Sequence, residues 1–138
     1  MICLEGNVEV LRTSELLIII PAYNESGNIE KTIKMIEEHT PEFDYVIIND
    51  CSTDNTLEIC KRNQFNVIDL PINLGIGGAV QTGYQYAVRH SYQYAVQVDG
   101  DGQHNPEFIK KMLEVLQEQK VNMVIGSRFI ENQGFQSS

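Results

Sequence analysis

Two carboxylates separated by one glycine form the segment with the clearest chemistry. Asp99 and Asp101 flank Gly100, directly after the apolar run 94–98. Both carboxylates can face one hard cation, Gly100 lets the backbone approach closely, and Gln103 adds a neutral oxygen ligand. Because only a few protein side chains would bind the cation, coordination positions stay open for substrate phosphates, as Mg²⁺ and Mn²⁺ sites require. A lone acidic turn is usually only solvated, but the position after a buried strand favours a metal site.

Three further charged residues also follow predicted strands. The carboxylate of Asp50 can accept hydrogen bonds from a ribose hydroxyl or a base imide, or it can form an Asx turn or a helix cap with Ser52 and Thr53. Glu25 has a similar ambiguity, because an acidic residue also stabilises the N-terminus of a following helix. Arg128 has a fixed positive charge that suits phosphate oxygens, and its alternative is a surface arginine.

The elements that must position these residues alternate between short apolar runs and helical patterns. Ile29, Ile33 and Ile36 have helical spacing, and Pro21 and Pro71 are expected to end strands. The predicted strands are 16–20, 45–48, 66–70, 94–98 and 121–125, and the predicted helices are 27–39, 54–62, a helix ending near 90, and one beginning at 105–106.

This alternation predicts a doubly wound α/β fold, with a mostly parallel, Rossmann-like sheet between two helical layers. Helical connections between short apolar strands imply parallel pairing, and right-handed crossovers place helices on both faces. Ligands of such sheets bind beyond the carboxyl ends of the strands, where the charged residues above lie.

A glycine-rich stretch, Gly75-Ile-Gly77-Gly78, follows the third predicted strand. It matches a dinucleotide fingerprint only weakly, because it does not follow the first strand and Val80 stands at the third glycine position. We therefore expect a loop that makes close backbone contact, and no NAD site.

Composition and charge limit the class of protein. The chain has 138 residues, about one domain, with 10 basic and 19 acidic residues and a net charge of -9. Such a chain repels nucleic acid and anionic lipid, but it can hold a diphosphate that a divalent cation bridges. Three cysteines without zinc spacing predict free thiols in a reducing compartment. The absence of a secretory signal or a run long enough to span a bilayer predicts a cytoplasmic protein.

Five motifs in order resemble those of the family-2 glycosyltransferases, which have the GT-A fold. They are Ile19-Ile-Pro-Ala-Tyr-Asn-Glu25, Ile48-Asn-Asp-Cys-Ser-Thr-Asp54, Asn73-Leu-Gly-Ile-Gly-Gly-Ala79, Asp99-Gly-Asp-Gly-Gln-His-Asn-Pro106 and Val124-Ile-Gly-Ser-Arg-Phe129. The branch most similar is the dolichyl-phosphate mannose synthase type, which transfers sugars to polyprenyl phosphates. The resemblance implies a nucleotide-sugar-binding domain over 16–129, with an N-terminal extension 1–15 and a polar tail 130–138.

The resemblance also implies an activity and a site. The activity is transfer of a hexose from a nucleotide-diphosphate sugar to a polyprenyl phosphate or a cell-envelope glycan, at the cytoplasmic membrane surface in a full-length form. Asp99, Asp101 and Gln103 would hold Mg²⁺ or Mn²⁺, and Asp101 and Arg128 would be catalytic. The implied nucleotide-sugar contacts are Pro21, Ala22, Tyr23, Asn24, Glu25, Asp50, Gly77, Asp99 and Gly100.

Family members continue well past Phe129, into segments that contact the acceptor. A donor-binding fragment without transfer activity is therefore the second hypothesis.

Two other protein classes are disfavoured by the residues after the first strand. A receiver-type signalling domain would need acidic residues there, where Pro21 and Ala22 stand, and a nucleotidyltransferase would need a basic, glycine-rich loop there. The strand 121–125 would leave an exposed sheet edge, which predicts a homodimer.

Overall fold

The computed structural model describes residues 15–101 and 105–120, in which strands and helices alternate. These residues fall into two compact units, one within Met1–Asn105 and one within Pro106–Ser138. The elements of the first unit are β1 (Leu16–Ala22), α1 (Ile29–His39), β2 (Asp44–Asn49), α2 (Thr56–Arg62), β3 (Val67–Asp69), α3 (Gly75–Arg89) and β4 (Tyr94–Gln97), and the second unit contains α4 (Glu107–Gln119).

β1 is the central strand of the sheet. The strand order is β3-β2-β1-β4, and every pair is parallel. Ile19 of β1 pairs with Val46 of β2 on one side and with Gln97 of β4 on the other. Consecutive side chains from Leu17 to Ile20 are 0% exposed, so both faces of β1 are covered. This explains why β1 is an unbroken apolar run rather than an alternating one.

The helices cover both faces of the sheet. The β1-α1-β2 and β2-α2-β3 crossovers move in one direction and the β3-α3-β4 crossover moves back, so the right-handed rule puts α3 on the face opposite α1 and α2. Leu17 and Ile19 form the core of the α3 face with Val46, Ala79 and Ala87. The predicted parallel α/β sheet with two helical layers is confirmed.

Helical periodicity accounts for α1 and α4. Ile29, Ile33 and Ile36 are buried on α1, and Ile109 and Leu113 are buried on α4. Both helices carry charged residues between these positions, as amphipathic helices do. None of the helices described is long and apolar enough to cross a membrane.

Pro21 does not end the first strand, contrary to the prediction. β1 continues through Pro21 to Ala22, which pairs with Asn49 of β2. The Ile19 carbonyl accepts a hydrogen bond from the Val98 N–H on the β4 side, and Pro21, two residues on, faces the same side. Because β4 has already ended there, the missing N–H of Pro21 breaks no ladder bond.

The glycine-rich stretch is not a loop, which corrects a second prediction. α3 begins at Gly75, so Gly77 and Gly78 lie in its first turn, while α1 begins at Ile29, two residues later than expected. The predicted strand 121–125 and the tail 130–138 lie outside the described residues, and so does the predicted extension 1–15 except for its last residue. The exposed edge on which the predicted homodimer rested lies there too.

Gly83 sets how closely α3 approaches β1. A Cβ at this position would overlap Cγ2 of Ile19 and lie 2.9 Å from its Cγ1, and this side chain has no room to move because it is fully buried. We expect Gly83→Ala to lower the free energy of unfolding by about 1–3 kcal/mol, as overpacking does.

Gly77→Ala is the matched control, because no heavy atom lies within 4 Å of the added Cβ. It should leave the free energy of unfolding unchanged or raise it by up to about 1 kcal/mol, since alanine favours helix. Urea unfolding followed by circular dichroism measures both variants. Equal stabilities for the two would contradict the packing of α3 on β1.

Candidate functional site

A cleft of about 210 Å³ lies at the carboxyl ends of the strands. It sits where the chain reverses direction across the sheet, between β1 and β4, which is the usual ligand site of doubly wound folds. The residues that line it are Pro21, Ala22, Tyr23, Glu25, Asp50, Ile76, Ala79, Asp99, Gly100 and Asp101. Most of the predicted site residues within the described ranges are therefore brought together, from three different strand ends and α3.

The predicted residues take different positions around this cleft. Tyr23, which is 49% exposed, follows β1, and Asp99 and Asp101 follow β4. Asn24 and Gly77 are not among the lining residues. Their predicted contacts with the nucleotide sugar remain predictions, and the predicted ligands Gln103 and Arg128 lie outside the described residues.

The buried carboxylate of Asp50 connects β2 to the N-terminus of α3. Its Oδ1 accepts the Leu74 N–H at 2.7 Å, and its own N–H donates to the Ala22 carbonyl at 2.9 Å. Asn73 accepts the Gly75 N–H through its Oδ1 and donates through Nδ2 to the Asp50 carbonyl. Asp50 thus holds the N-terminus of α3 through Leu74, which lies 24 residues later in the sequence, rather than forming a local turn with Ser52 and Thr53.

Gly100 brings the turn after β4 against the end of β1. A Cβ here would lie 3.3 Å from the Pro21 carbonyl oxygen and 3.5 Å from Cγ of Glu25. The Gly100 carbonyl accepts a hydrogen bond from Oγ1 of Thr32 on α1 at 3.1 Å. The turn therefore lies close against the end of β1, which places Asp99 and Asp101 beside the first strand.

The loops after β1 and β2 are joined by a set of hydrogen bonds that we call the Asn24 clamp. Oδ1 of Asn24 accepts the Thr53 N–H at 2.8 Å and the Asp54 N–H at 3.3 Å. The Asn24 N–H donates to Oγ of Ser52, which in turn donates to Oδ1 of Asn49. Asn24 has a φ of 54°, a left-handed conformation that asparagine adopts more readily than most residues.

Asp54 extends the clamp to the start of α2. Its Oδ1 accepts the Thr56 N–H and hydroxyl, and its Oδ2 accepts the Ser26 N–H at 3.2 Å. The Thr56 hydroxyl also accepts the Glu25 N–H at 2.9 Å. Desolvation acts to raise the pKa of Asp54, but the hydrogen bonds from Thr56 and Ser26 outweigh it and lower the pKa to about 2.

Two lining residues were missed by the sequence analysis. Ile76 and Ala79 come from the first turns of α3, and Ile76 is 64% exposed. Their spacing of three residues puts both on one side of a helix. The signal that could have found them was a helix beginning at Gly75, which the expectation of a glycine-rich loop concealed.

A second cavity, of about 450 Å³, lies at the opposite edge of the sheet. Phe43, Tyr45 and Tyr92 contribute aromatic surface, and Glu37 and Asp44 contribute negative charge. This edge also receives the C-terminal end of α1, whose dipole is negative there. Despite its size, it is a poor site for a diphosphate, whereas the carboxyl edge receives the N-terminus of α3.

The acidic residues of the cleft could bind a divalent cation, but they would supply only a few of its ligands. No group of three or more histidine, cysteine or acidic side chains is arranged around a metal position among the residues described. Asp99 and Asp101 supply hard oxygen donors on a turn that Gly100 keeps free of a side chain. That donor set suits Mg²⁺ or Mn²⁺ with substrate oxygens completing the coordination.

Comparison with known proteins identifies the family. The model of the family described as Glycosyl transferase family 2 matches residues 17–137. The chain belongs to this family. Among its relatives, the undecaprenyl-phosphate mannosyltransferase of Micrococcus luteus is 30% identical over 118 residues, which cover 82% of this chain and 48% of that protein. The present chain spans about half the length of the curated relatives it matches.

Solved structures confirm the predicted GT-A fold. A mannosyltransferase from Pyrobaculum calidifontis in complex with GDP-Man and Mn²⁺ superposes with a TM-score of 0.67 and 20% identity, over 78% of this chain and 33% of that one. The S. aureus protein TarS in complex with UDP-GlcNAc gives a TM-score of 0.63 and 28% identity, over 84% of this chain and 38% of that one.

The low pKa of Asp54 predicts a specific pH dependence of stability. Because the pKa of the folded state lies below the ordinary value, the contribution of Asp54 is complete above about pH 4 and is lost as the pH falls toward about 2. Asp54→Asn removes this contribution. The difference in free energy of unfolding between parent and variant should therefore shrink from about pH 5 to about pH 3.

Urea unfolding at several pH values measures this difference. Glu58→Gln, at an exposed position on α2, controls for the loss of one negative charge from the same helix region. A difference between Asp54→Asn and the parent that stays constant across the range would show that the clamp does not depend on the ionised carboxylate.

Proposed function

We propose that the cleft binds a nucleotide-diphosphate sugar together with a divalent cation, as the donor site of a glycosyltransferase. The observation that carries this proposal is the meeting of Asp50, from the end of β2, with Asp99 and Asp101, from the end of β4, in one cleft. The cleft thus offers one carboxylate to the nucleoside and, beside it, a pair of carboxylates to a cation. This arrangement matches the two ends of a nucleoside diphosphate.

The nucleoside half of the donor would lie between Tyr23 and Ile76. Both side chains are exposed and apolar or aromatic, and both line the cleft beside Asp50. Since Oδ1 of Asp50 is held by the Leu74 N–H, Oδ2 is the oxygen left for a ribose hydroxyl or a base N–H. The rigid end of β1, Pro21 and Ala22, would form the floor of this half.

The diphosphate would lie toward Asp99 and Asp101. These carboxylates, with Gln103, would hold Mg²⁺ or Mn²⁺, and the cation would neutralise charge on the leaving phosphate. The first four N–H groups of a helix have no partner within the helix. Asp50 and Asn73 take those of Leu74 and Gly75, which leaves the N–H groups of Ile76 and Gly77 for a ligand.

The transfer itself would be a displacement at the anomeric carbon of the sugar. An acceptor oxygen forms the new bond to that carbon while the bond to the nucleoside diphosphate breaks, and the electron pair leaves with the phosphate. A phosphate acceptor is already ionised and needs little help from a general base. Arg128, with its fixed positive charge, would approach the phosphate of donor or acceptor.

We propose a polyprenyl phosphate as the acceptor, reached at the cytoplasmic surface of a membrane. The support is the relative named for undecaprenyl phosphate and the agreement of the motifs with that branch. The known structures hold GDP-Man in one case and UDP-GlcNAc in another, so both donors belong in the test. The second candidate is donor binding without transfer, since the residues that line the cleft account for a donor and a cation.

Asp101→Asn tests the cation site with little change in shape. Asp101 follows the last strand residue of β4 by four positions and makes no part of the buried core. We expect the variant to fold as the parent does and to lose Mn²⁺-dependent affinity for GDP-mannose or UDP-N-acetylglucosamine by about 10-fold or more. Isothermal titration calorimetry with and without Mn²⁺ measures the affinities.

Asp69→Asn is the matched control, because Asp69 ends β3 at the same edge of the sheet but does not line the cleft. It removes the same charge and keeps an oxygen that can accept the 2.8 Å hydrogen bond from Asn49. Equal Mn²⁺-dependent affinities for the Asp101→Asn chain and the parent would overturn the cation assignment. Sugar transfer to an added polyprenyl phosphate then separates the enzyme from the donor-binding fragment.

A further inference from the structure

The loop between β1 and α1 alternates between residues that line the cleft and residues that do not. Tyr23 and Glu25 line it, whereas Asn24 and Ser26 are not among the lining residues. Glu25 reaches toward the turn after β4, because a Cβ placed on Gly100 would lie 3.5 Å from its Cγ. The direction in which this carboxylate enters the cleft therefore depends on how the loop backbone is held.

Three consecutive backbone N–H groups of this loop donate to side chains that follow β2. The bonds run from Asn24 to Oγ of Ser52 at 3.0 Å, from Glu25 to Oγ1 of Thr56 at 2.9 Å, and from Ser26 to Oδ2 of Asp54 at 3.2 Å. In dinucleotide-binding folds the backbone of the first such loop approaches the pyrophosphate. Here these three N–H groups are occupied within the protein, which leaves side chains such as that of Glu25 for contact with a ligand.

The bond from Glu25 to Thr56 is the best shielded of the three. Thr56 is 0% exposed and this bond is partly buried, whereas the bonds to Ser52 and Asp54 are exposed. A hydrogen bond is stronger away from water, where the local dielectric is low. Among these side chains, Thr56 therefore contributes most to fixing the loop at Glu25.

The Glu25 backbone is held from both sides. Its N–H donates to Thr56 at the start of α2, and its carbonyl accepts the N–H groups of Asn28 and Ile29 at 3.0 and 2.9 Å, at the start of α1. Because both flanking peptide groups are fixed, the direction of the Cα–Cβ bond is fixed too. The carboxylate itself accepts a hydrogen bond from Nδ2 of Asn28 at 3.3 Å.

The Thr56 hydroxyl does more than help to begin α2. Oδ1 of Asp54 accepts both the Thr56 N–H, at 2.9 Å, and the Thr56 hydroxyl. The bond to the N–H already satisfies one of the free donors at the start of the helix. A hydroxyl has one donor and two acceptor positions. Its donor goes to Asp54 and an acceptor position takes the Glu25 N–H, so the hydroxyl connects the Asp54 carboxylate to the loop that enters the cleft.

We propose that Thr56 is a positioning residue for donor binding and acts through Glu25. Thr56 does not line the cleft, but its hydroxyl holds the Glu25 backbone so that the carboxylate faces the donor before the donor arrives. This inference rests on the proposed function, because it takes Glu25 to be part of the donor site. A residue with a purely structural role would change the stability of the chain and leave the donor affinity of the folded chain unchanged.

Thr56→Val and Thr56→Ser separate positioning from stability. Valine keeps the branched shape and the backbone N–H but lacks the hydroxyl, whereas serine keeps the hydroxyl. We expect Thr56→Val to raise the dissociation constant for GDP-mannose or UDP-N-acetylglucosamine with Mn²⁺ by about 10-fold, at a temperature at which the chain is folded. Thr56→Ser should bind as the parent does. Isothermal titration calorimetry measures the affinities.

Thr40→Val is the matched control. Thr40 is also buried and its hydroxyl also donates a hydrogen bond, to the Ile36 carbonyl, but it lies beside the cavity at the opposite edge of the sheet. Thr40→Val should lower the free energy of unfolding and leave the donor affinity unchanged. A double-mutant cycle tests the route through Glu25. In the Glu25→Ala chain, adding Thr56→Val should change the affinity by less than about 2-fold.

Hydrogen exchange of the Glu25 amide tests the contact without any donor. The amide should be protected in the parent and should exchange about 10-fold faster or more in Thr56→Val, because it loses its partner. The measurement on the parent needs no variant, so it decides even if Thr56→Val does not fold. An unprotected Glu25 amide in the parent would overturn the positioning role.

The affinities supply the remaining outcomes. A parent that binds a donor, with a Thr56→Val chain that binds it equally well, would overturn the positioning role alone. So would an equal loss of affinity in Thr40→Val, or a loss by Thr56→Val that persists in the Glu25→Ala chain. A parent that binds neither donor would overturn the proposed function, and the role of Thr56 would be lost with it.

Discussion

The position of β1 in the middle of the sheet determines where the site can form. Its neighbours β2 and β4 are reached by crossovers that move in opposite directions, so their following loops leave the sheet on different sides and a gap opens at the end of β1. Asp50 arrives from one side of this gap and Asp99 from the other. The apolar β1 residues that fix this arrangement are fully buried and take no part in chemistry. They nevertheless determine how far apart the carboxylates of Asp50 and Asp99 lie.

The loops around the gap are short and are held by side-chain hydrogen bonds rather than by a core of their own. The Asn24 clamp joins the first two loops, Thr32 holds the turn at Gly100, and Asp50 holds the start of α3. Each connection joins residues far apart in the sequence. The donor site proposed for this cleft would therefore be formed before the ligand arrives, which would reduce the ordering cost of binding.

The sequence was sufficient for what depends on local pattern. The buried strands follow from unbroken apolar runs, and the gathering of the acidic residues follows from the rule for parallel sheets. It was not sufficient for contacts between distant residues. Nothing near Asp50 indicates that its partner is the Leu74 N–H, and no periodicity reveals that Asn24 holds Thr53. The start of α3 was missed because its cap comes from another strand, whereas glycines alone favour a loop.

The central claim, that the cleft beside β1 is a donor site, is tested most directly by NMR. The ¹⁵N-labelled chain would be titrated with GDP-mannose or UDP-N-acetylglucosamine and Mg²⁺, and the shifts of the backbone amides would be mapped. The account predicts that the largest shifts occur at Tyr23, Glu25, Asp50 and Gly100, around the cleft. Shifts centred instead on Phe43 and Tyr45, which line the larger cavity at the opposite edge, or no shifts with either donor, would contradict it.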